Sequence, residues 1–181
     1  SLFLASRHLM PEQVTISDAT VRVVREDITL YEIDAFVYYA TSDLALGTGF
    51  GNAIAVRGGQ KIQQELNELG PIETCGVVLS GAGKLPAEYI IHAVGPKFQE
   101  PDFEEKLVKT IFNSMKLADE KGISRIAFPA MARGFYGFPL PASAKVTVKA
   151  IKDYLAGETG IKEVVICVND HNEVKAFEDQ L

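Results

Sequence analysis

A chain of 181 residues with 47% hydrophobic and 23% charged residues has the size and balance of one ordinary globular domain, and one well-formed core is the expectation. The net charge of −6 and a pI near 5.1 stand against a broad polyanion-binding face, which needs clustered Lys and Arg to neutralise phosphates, so nucleic acid is an unfavoured partner. No run approaches the ~18 consecutive apolar residues that span a bilayer, and Arg7 and His8 interrupt the first segment where a signal peptide would be apolar, which points to a soluble, cytoplasmic chain with no membrane partner.

Residues 1–10 lead to a Met10 that would serve as a natural start; they read as a tag remnant or an N-terminal extension, and 11–181 as a single domain. Residues 14–24 form one or two short strands with Val21 and Val23 on one face. A second apolar strand, 35–40, runs into Thr41-Ser42-Asp43, a loop or cap signal. After a glycine-rich stretch at 47–51, Ile54, Ile62, Leu66 and Leu69 mark the apolar side of a helix that Gly58-Gly59 breaks midway and Gly70-Pro71 ends. Strands follow at 77–80 and 89–94, the second closed by Gly95-Pro96. Leu107, Ile111 and Met115 give 103–121 helical spacing, with Gly122 as its stop. A short buried strand at 126–128, a helix at 142–155, a last strand at 163–168 and a final helix at 172–181 complete the chain. Alternating strand and helix imply a layered α/β fold, and no repeat, low-complexity tract or linker interrupts it.

Two segments put small residues where a strand hands over to a helix. In the first, Gly47-Thr48-Gly49-Phe50-Gly51-Asn52, glycines let backbone N–H groups approach an anion closely while the helix N-terminus adds partial positive charge. This is a phosphate cradle in outline, or simply a tight connection; its spacing matches neither the dinucleotide fingerprint nor a P-loop. The second, 130–139, follows the short buried strand and carries Phe135, Tyr136 and Phe138 among glycines. It reads either as a hydrophobic loop folded onto the core or as a second cradle with an aromatic wall, and two such loops in one sheet would meet outside the carboxyl ends of their strands.

Asp27-Ile28-Thr29, Ile33-Asp34-Ala35-Phe36-Val37, the glycine loop, Tyr89-Ile90-Ile91-His92-Ala93-Val94-Gly95-Pro96, Ala127-Phe128-Pro129-Ala130 and Gly134-Phe135-Tyr136-Gly137-Phe138-Pro139 resemble, in order and spacing, the successive motifs of the macro domain family, known for ADP-ribose binding and Appr-1″-p processing. The resemblance covers roughly 14–181. It implies a three-layer α/β/α fold with a mixed central sheet and a cleft for ADP-ribose or a derivative, free or on an ADP-ribosylated protein. By position, Asp27 would accept from the adenine amino group, with the Ile28 N–H beside it. Gly47, Gly49, Phe50, Gly51 and Asn52 would line the distal ribose and part of the diphosphate. Ala132, Arg133, Gly134, Phe135 and Tyr136 would cradle the phosphates, the last two closing over the ligand. Asn169 falls where the family often supplies an aromatic neighbour to adenine.

The residues themselves leave plainer readings open. Asp27 also suits a strand-end cap, and Arg133 a solvent-facing side chain as readily as a phosphate contact. The resemblance places Tyr38-Tyr39-Ala40-Thr41 where family hydrolases commonly carry Asn-Ala-Ala-Asn, so both asparagines are absent. Thr41 and Asn52 are then the only candidates to orient a water, and neither is a general base near neutral pH. His92 reads as a hydrogen-bonded core residue, Asp43 as a cap, Glu65 as a solvated helix face, and Cys75 and Cys167 as buried free thiols. Neither a metal-ligand spacing nor a cofactor motif is visible. The reading is a binding module for ADP-ribose or ADP-ribosylated partners with weak or absent hydrolase activity; the alternative is an ADP-ribosyl hydrolase or O-acetyl-ADP-ribose deacetylase using a phosphate-held water.

Overall fold

Side chains of an extended strand alternate between two faces, and here both faces are apolar. In the strand Ala35–Tyr39, Ala35 and Val37 belong to one buried cluster while Phe36 belongs to another, and Ile91 and Ile90 divide in the same way in Tyr89–Ala93. A sheet with two apolar faces must be covered twice, which a computed structural model of residues 12–47, 49–133 and 137–181 bears out.

In chain order the elements are β1 (Gln13–Ile16), β2 (Ala19–Arg25), a single 3-10 turn (Ile28–Leu30), β3 (Ala35–Tyr39), α1 (Phe50–Gly58), α2 (Lys61–Leu69), β4 (Val77–Gly81), β5 (Tyr89–Ala93), α3 (Phe103–Glu120), β6 (Arg125–Phe128), α4 (Leu140–Leu155), β7 (Glu163–Val168) and α5 (His171–Glu178). The seven strands form one mixed sheet in the order β1-β2-β7-β6-β3-β5-β4. Its interior is parallel, and the two edge strands β1 and β4 run antiparallel to their neighbours. This is the α/β/α architecture expected for the chain. Ile54, Ile62 and Leu66 of α1 and α2 pack with Phe36, Ile90, Ala127 and Val165 on one face. Leu107, Ile111 and Met115 of α3, Val148 and Ile151 of α4, and Phe177 of α5 pack with Val37, Ile91, Phe128 and Ile166 on the other.

The element boundaries differ from the expected ones where local chemistry allows a longer or shorter run. The break between α1 and α2 comes where Gly59 takes φ +97°, a conformation other residues rarely adopt. Helix α4 begins at Leu140 rather than 142, because Pro141 sits in its first turn, where the missing N–H costs no helical hydrogen bond. Helix α5 begins at His171 because Asp170 caps it, accepting from the Glu173 N–H at 2.9 Å. The 3-10 turn after β2 has no periodicity of its own and was not expected; Asp27 holds it from the N-terminal side. Among the described residues no helix is long and apolar enough to cross a membrane.

Candidate functional site

The parallel strands β2, β7, β6 and β3 all deliver their carboxyl ends to one edge of the sheet, and the loops that leave them enclose a cleft of about 710 Å³. That volume suits a small molecule. Strand β3 supplies Phe36, Val37, Tyr38 and Tyr39, followed by Thr41. The start of α1 supplies Gly49, Phe50 and Ile54, and the loop after β6 supplies Pro129, Ala130, Ala132 and Arg133. Cys167, Asn169, Asp170 and Glu173 close the β7 side, with Ile28 and Thr29 at the end of β2. A second hollow of about 460 Å³, between Arg25, Glu26, Asp27 and Val168, shares Phe50 and Asn169 with the main cleft.

Of the residues the resemblance singles out, Ile28, Thr41, Gly49, Phe50, Ala132, Arg133 and Asn169 line the main cleft, while Asp27 borders the adjoining hollow. Gly47 and Asn52 are exposed and do not line either space. Gly51 is buried instead: a Cβ there would lie 2.5 Å from the Tyr38 hydroxyl oxygen, so the tyrosine occupies the room a side chain at 51 would need. Gly134, Phe135 and Tyr136 lie outside the described residues.

Gly49 caps α1 with φ +56° and ψ −130°, a geometry open to glycine, and sets the helix N-terminus at the cleft wall. Across the cleft Ala132 takes φ +61°, a strained value for a residue with a Cβ, in the loop where the resemblance places a phosphate cradle. Arg133 next to it donates to the Phe138 carbonyl at 2.9 Å, and its Nε lies 3.9 Å from Glu173 Oε2. Glu173, almost fully buried, also accepts from the Asn169 N–H at 2.9 Å. Asp170-x-x-Glu173 is the spacing of a capping box, a signal that could have placed Glu173 at this helix start from sequence.

The Asp27 carboxylate accepts through Oδ1 from the Thr29 N–H at 2.9 Å and the Thr29 hydroxyl at 2.7 Å, and through Oδ2 from Arg57 at 2.6 Å. Burial pushes this carboxyl up, but the hydrogen bonds from the Thr29 hydroxyl, Arg57 and the Thr29 N–H outweigh it and hold the group below the usual carboxylate range. It stays an acceptor. The Thr41 hydroxyl donates to Asp43 Oδ1 at 2.6 Å, which together with the Ala45 N–H holds Asp43 below the usual range as well.

The cleft offers little proton chemistry among the described residues. Burial pushes the Cys167 thiol up to about 12, so it lines the wall as an unreactive thiol. His92 lies beneath the site in β5, fully buried, with Nε2 2.7 Å from Ser80 Oγ and its ring edge-on to Tyr38. Desolvation lowers its pKa to about 4. No group of three or more His, Cys, Asp or Glu side chains among the described residues is placed to hold a metal ion.

Comparison with known proteins agrees with this geometry. The macro domain family matches residues 37–147, which run from within β3 through α1, α2, the strand of His92 and the loop carrying Arg133 into α4. A macro domain-containing protein of Caldanaerobacter subterraneus is 39% identical over 150 residues, covering 80% of this chain and 85% of that protein. An uncharacterized protein of Sulfurisphaera tokodaii is 37% identical over 161 residues, 87% of this chain and 88% of that one. Among solved structures, a mutant of the Oceanobacillus iheyensis macrodomain with ADPR superposes with a TM-score of 0.89 at 27% identity, covering 94% of this chain and 96% of that chain. With the sheet order, the cleft at the strand ends and relatives that align over most of both chains, the protein belongs to the macro domain family.

Proposed function

We propose that the cleft binds ADP-ribose, free or attached to a protein, and that the chain acts as a binding module with little or no hydrolase activity. The observation that carries this reading is the pairing of a cleft with an adjoining hollow that shares Phe50 and Asn169 with it, the two differing in what they offer a ligand. A helix N-terminus and the strained loop at Ala132 suit a diphosphate, and the ionised Asp27 beside Phe50 suits an aminopurine. A structural neighbour with ADPR supports it by analogy. Calorimetric titration is expected to give tighter binding of ADP-ribose than of AMP, because only the former has a diphosphate to engage both loops. A hundredfold excess of ADP-ribose over its dissociation constant should stabilise the fold by about 2.7 kcal/mol, seen as a raised melting temperature. Equal affinity for the two ligands would remove the two-loop reading.

The second reading, a hydrolase or deacetylase using a phosphate-held water, is disfavoured by the strand end. The Thr41 hydroxyl gives its proton to Asp43, and Asn52, the other residue that could orient a water, is exposed away from the lining. Release of ADP-ribose from an ADP-ribosylated protein should therefore be slow. Thr41→Asn, which restores a longer amide at that wall, should raise the rate without a large change in ADP-ribose affinity. Fast release by the unaltered protein, left unchanged by Thr41→Asn, would favour the enzyme reading and a different water-holding group.

A further inference from the structure

Helix α1 carries Phe50, Ile54 and Arg57 at spacings of four and three residues, so one stripe of the helix runs from the cleft wall to the end of β2. At that end Arg57 Nη1 meets two oxygens, Asp27 Oδ2 at 2.6 Å and Thr29 Oγ1 at 2.7 Å. The Thr29 hydroxyl in turn donates to Asp27 Oδ1 at 2.7 Å, which closes a ring of three side chains. A carboxylate has about four acceptor positions, two on each oxygen. Among the described residues the Thr29 N–H and hydroxyl take both on Oδ1 and Arg57 takes one on Oδ2, so one remains open to them, on the oxygen that Arg57 fixes. The Arg57–Asp27 pair is 43% and 37% exposed, a setting in which an ion pair adds little to stability. Its effect is on orientation.

We propose that Arg57 is a positioning residue for base recognition: through the ring with Thr29 it holds the Asp27 carboxylate so that its one open acceptor position faces the hollow shared by Phe50 and Asn169, where it selects a base edge that donates a hydrogen. The inference rests on the reading of the cleft as an ADP-ribose site with its base at Asp27. A 6-amino purine satisfies the open position, whereas a 6-oxo purine brings an oxygen against a carboxylate held charged. Arg57 also ties the base end to the helix whose N-terminus faces the diphosphate, so both ends of the cleft are set by α1.

ADP and IDP differ at the 6-substituent and at the adjoining N1, bare in adenine and protonated in hypoxanthine, and serve as probes, with ribose 5-phosphate as a ligand lacking the base. Calorimetry on the unaltered chain is expected to show a preference for ADP over IDP. Arg57→Ala should cut that preference about tenfold by weakening ADP alone, the size of one misplaced charge-assisted hydrogen bond. IDP and ribose 5-phosphate should stay within about twofold, and Arg57→Ala added to Asp27→Ala should cost no more than about twofold further. Arg57→Lys, which keeps a charged donor near Oδ2, should recover part of the preference. An unchanged ADP to IDP ratio, an equal loss for all three ligands, or an additive loss in the Asp27→Ala background would each overturn the assignment. So would tighter ADP binding by Arg57→Ala, which would make Arg57 a competitor of the base. A chain that binds neither ADP nor ADP-ribose in any form would instead defeat the underlying reading, and this inference with it.

Discussion

Asp27→Ala is expected to weaken ADP-ribose binding by roughly 1.5 to 3 kcal/mol, about ten- to hundredfold, while ribose 5-phosphate is affected far less. The base-bearing ligand would lose a charge-assisted hydrogen bond that the smaller one never makes. Because the same carboxylate caps the turn at 28–30, alanine alone leaves a structural explanation open. Asp27→Asn separates the two. Its carbonyl oxygen can still accept from the Thr29 N–H, but an amide nitrogen in the place of Oδ2 would face Arg57 and the purine amine as a donor against donors. Asparagine should therefore keep the melting temperature close to that of the unaltered protein and lose nearly as much ADP-ribose affinity as alanine. Titration of both variants with both ligands checks this, and an equal loss for ADP-ribose and ribose 5-phosphate would make Asp27 a cap and nothing more.

The largest pH effect should come from His92. Ser80 Oγ donates to the Gly81 carbonyl at 2.9 Å, so the hydroxyl receives rather than gives a hydrogen in its 2.7 Å contact with His92 Nε2. That assigns the proton of the neutral ring to Nε2. Nδ1 is then a bare lone pair, buried and without a hydrogen-bond partner among the described residues, so a second proton there would meet no acceptor among them. Burial accordingly lowers the pKa from 6.5 to about 4. Between those values the unfolded chain binds a proton that the folded chain refuses. The contribution to stability is whole above pH 6.5 and is lost as the pH falls toward 4, amounting to about 3 kcal/mol. Urea denaturation of the unaltered protein and of His92→Gln across this range should show the extra acid loss only with the histidine. Parallel curves would mean that the folded protein accepts the proton. The ring lies edge-on to Tyr38 at 6.0 Å between centroids, and because it stays neutral in the folded chain down to about pH 4, its titration should leave the ligand affinity of the folded protein unchanged over this interval.

How much of this was legible beforehand follows from the range of each interaction. The break at Gly58-Gly59, the stop at Gly122 and the stripe Leu107, Ile111, Met115 depend on neighbours within a turn or two, and all three were readable from spacing. So was the placement of Cys75 and Cys167 as buried free thiols and of His92 as a bonded core residue, because apolar flanks forecast burial. The expected start of α4 at 142 falls two residues late, since the ring of Pro141 fits the first turn and the helix begins at Leu140. Glu65, read as a solvated face, is exposed but also accepts from the Gly81 N–H at 3.2 Å, a partner sixteen residues away that no helical pattern announces.

From local patterning alone come the alternation of strand and helix, two loops built for close backbone approach, and an acidic residue at the end of β2; these need only nearest-neighbour sterics and the burial of apolar faces. The strand order β1-β2-β7-β6-β3-β5-β4 is a different matter, since it joins segments as distant as Arg22 and Glu163, whose ion pair spans 141 residues. Tertiary packing also decided that Tyr38 covers Gly51, that Asn52 turns outward, and that Arg57 reaches back thirty residues to Asp27. Those outcomes depend on how α1 lies across the sheet, a packing geometry set by Ile54, Ile62 and Phe36 together, and a hydrogen bond between remote side chains forms only once that packing has brought its partners within about 3 Å.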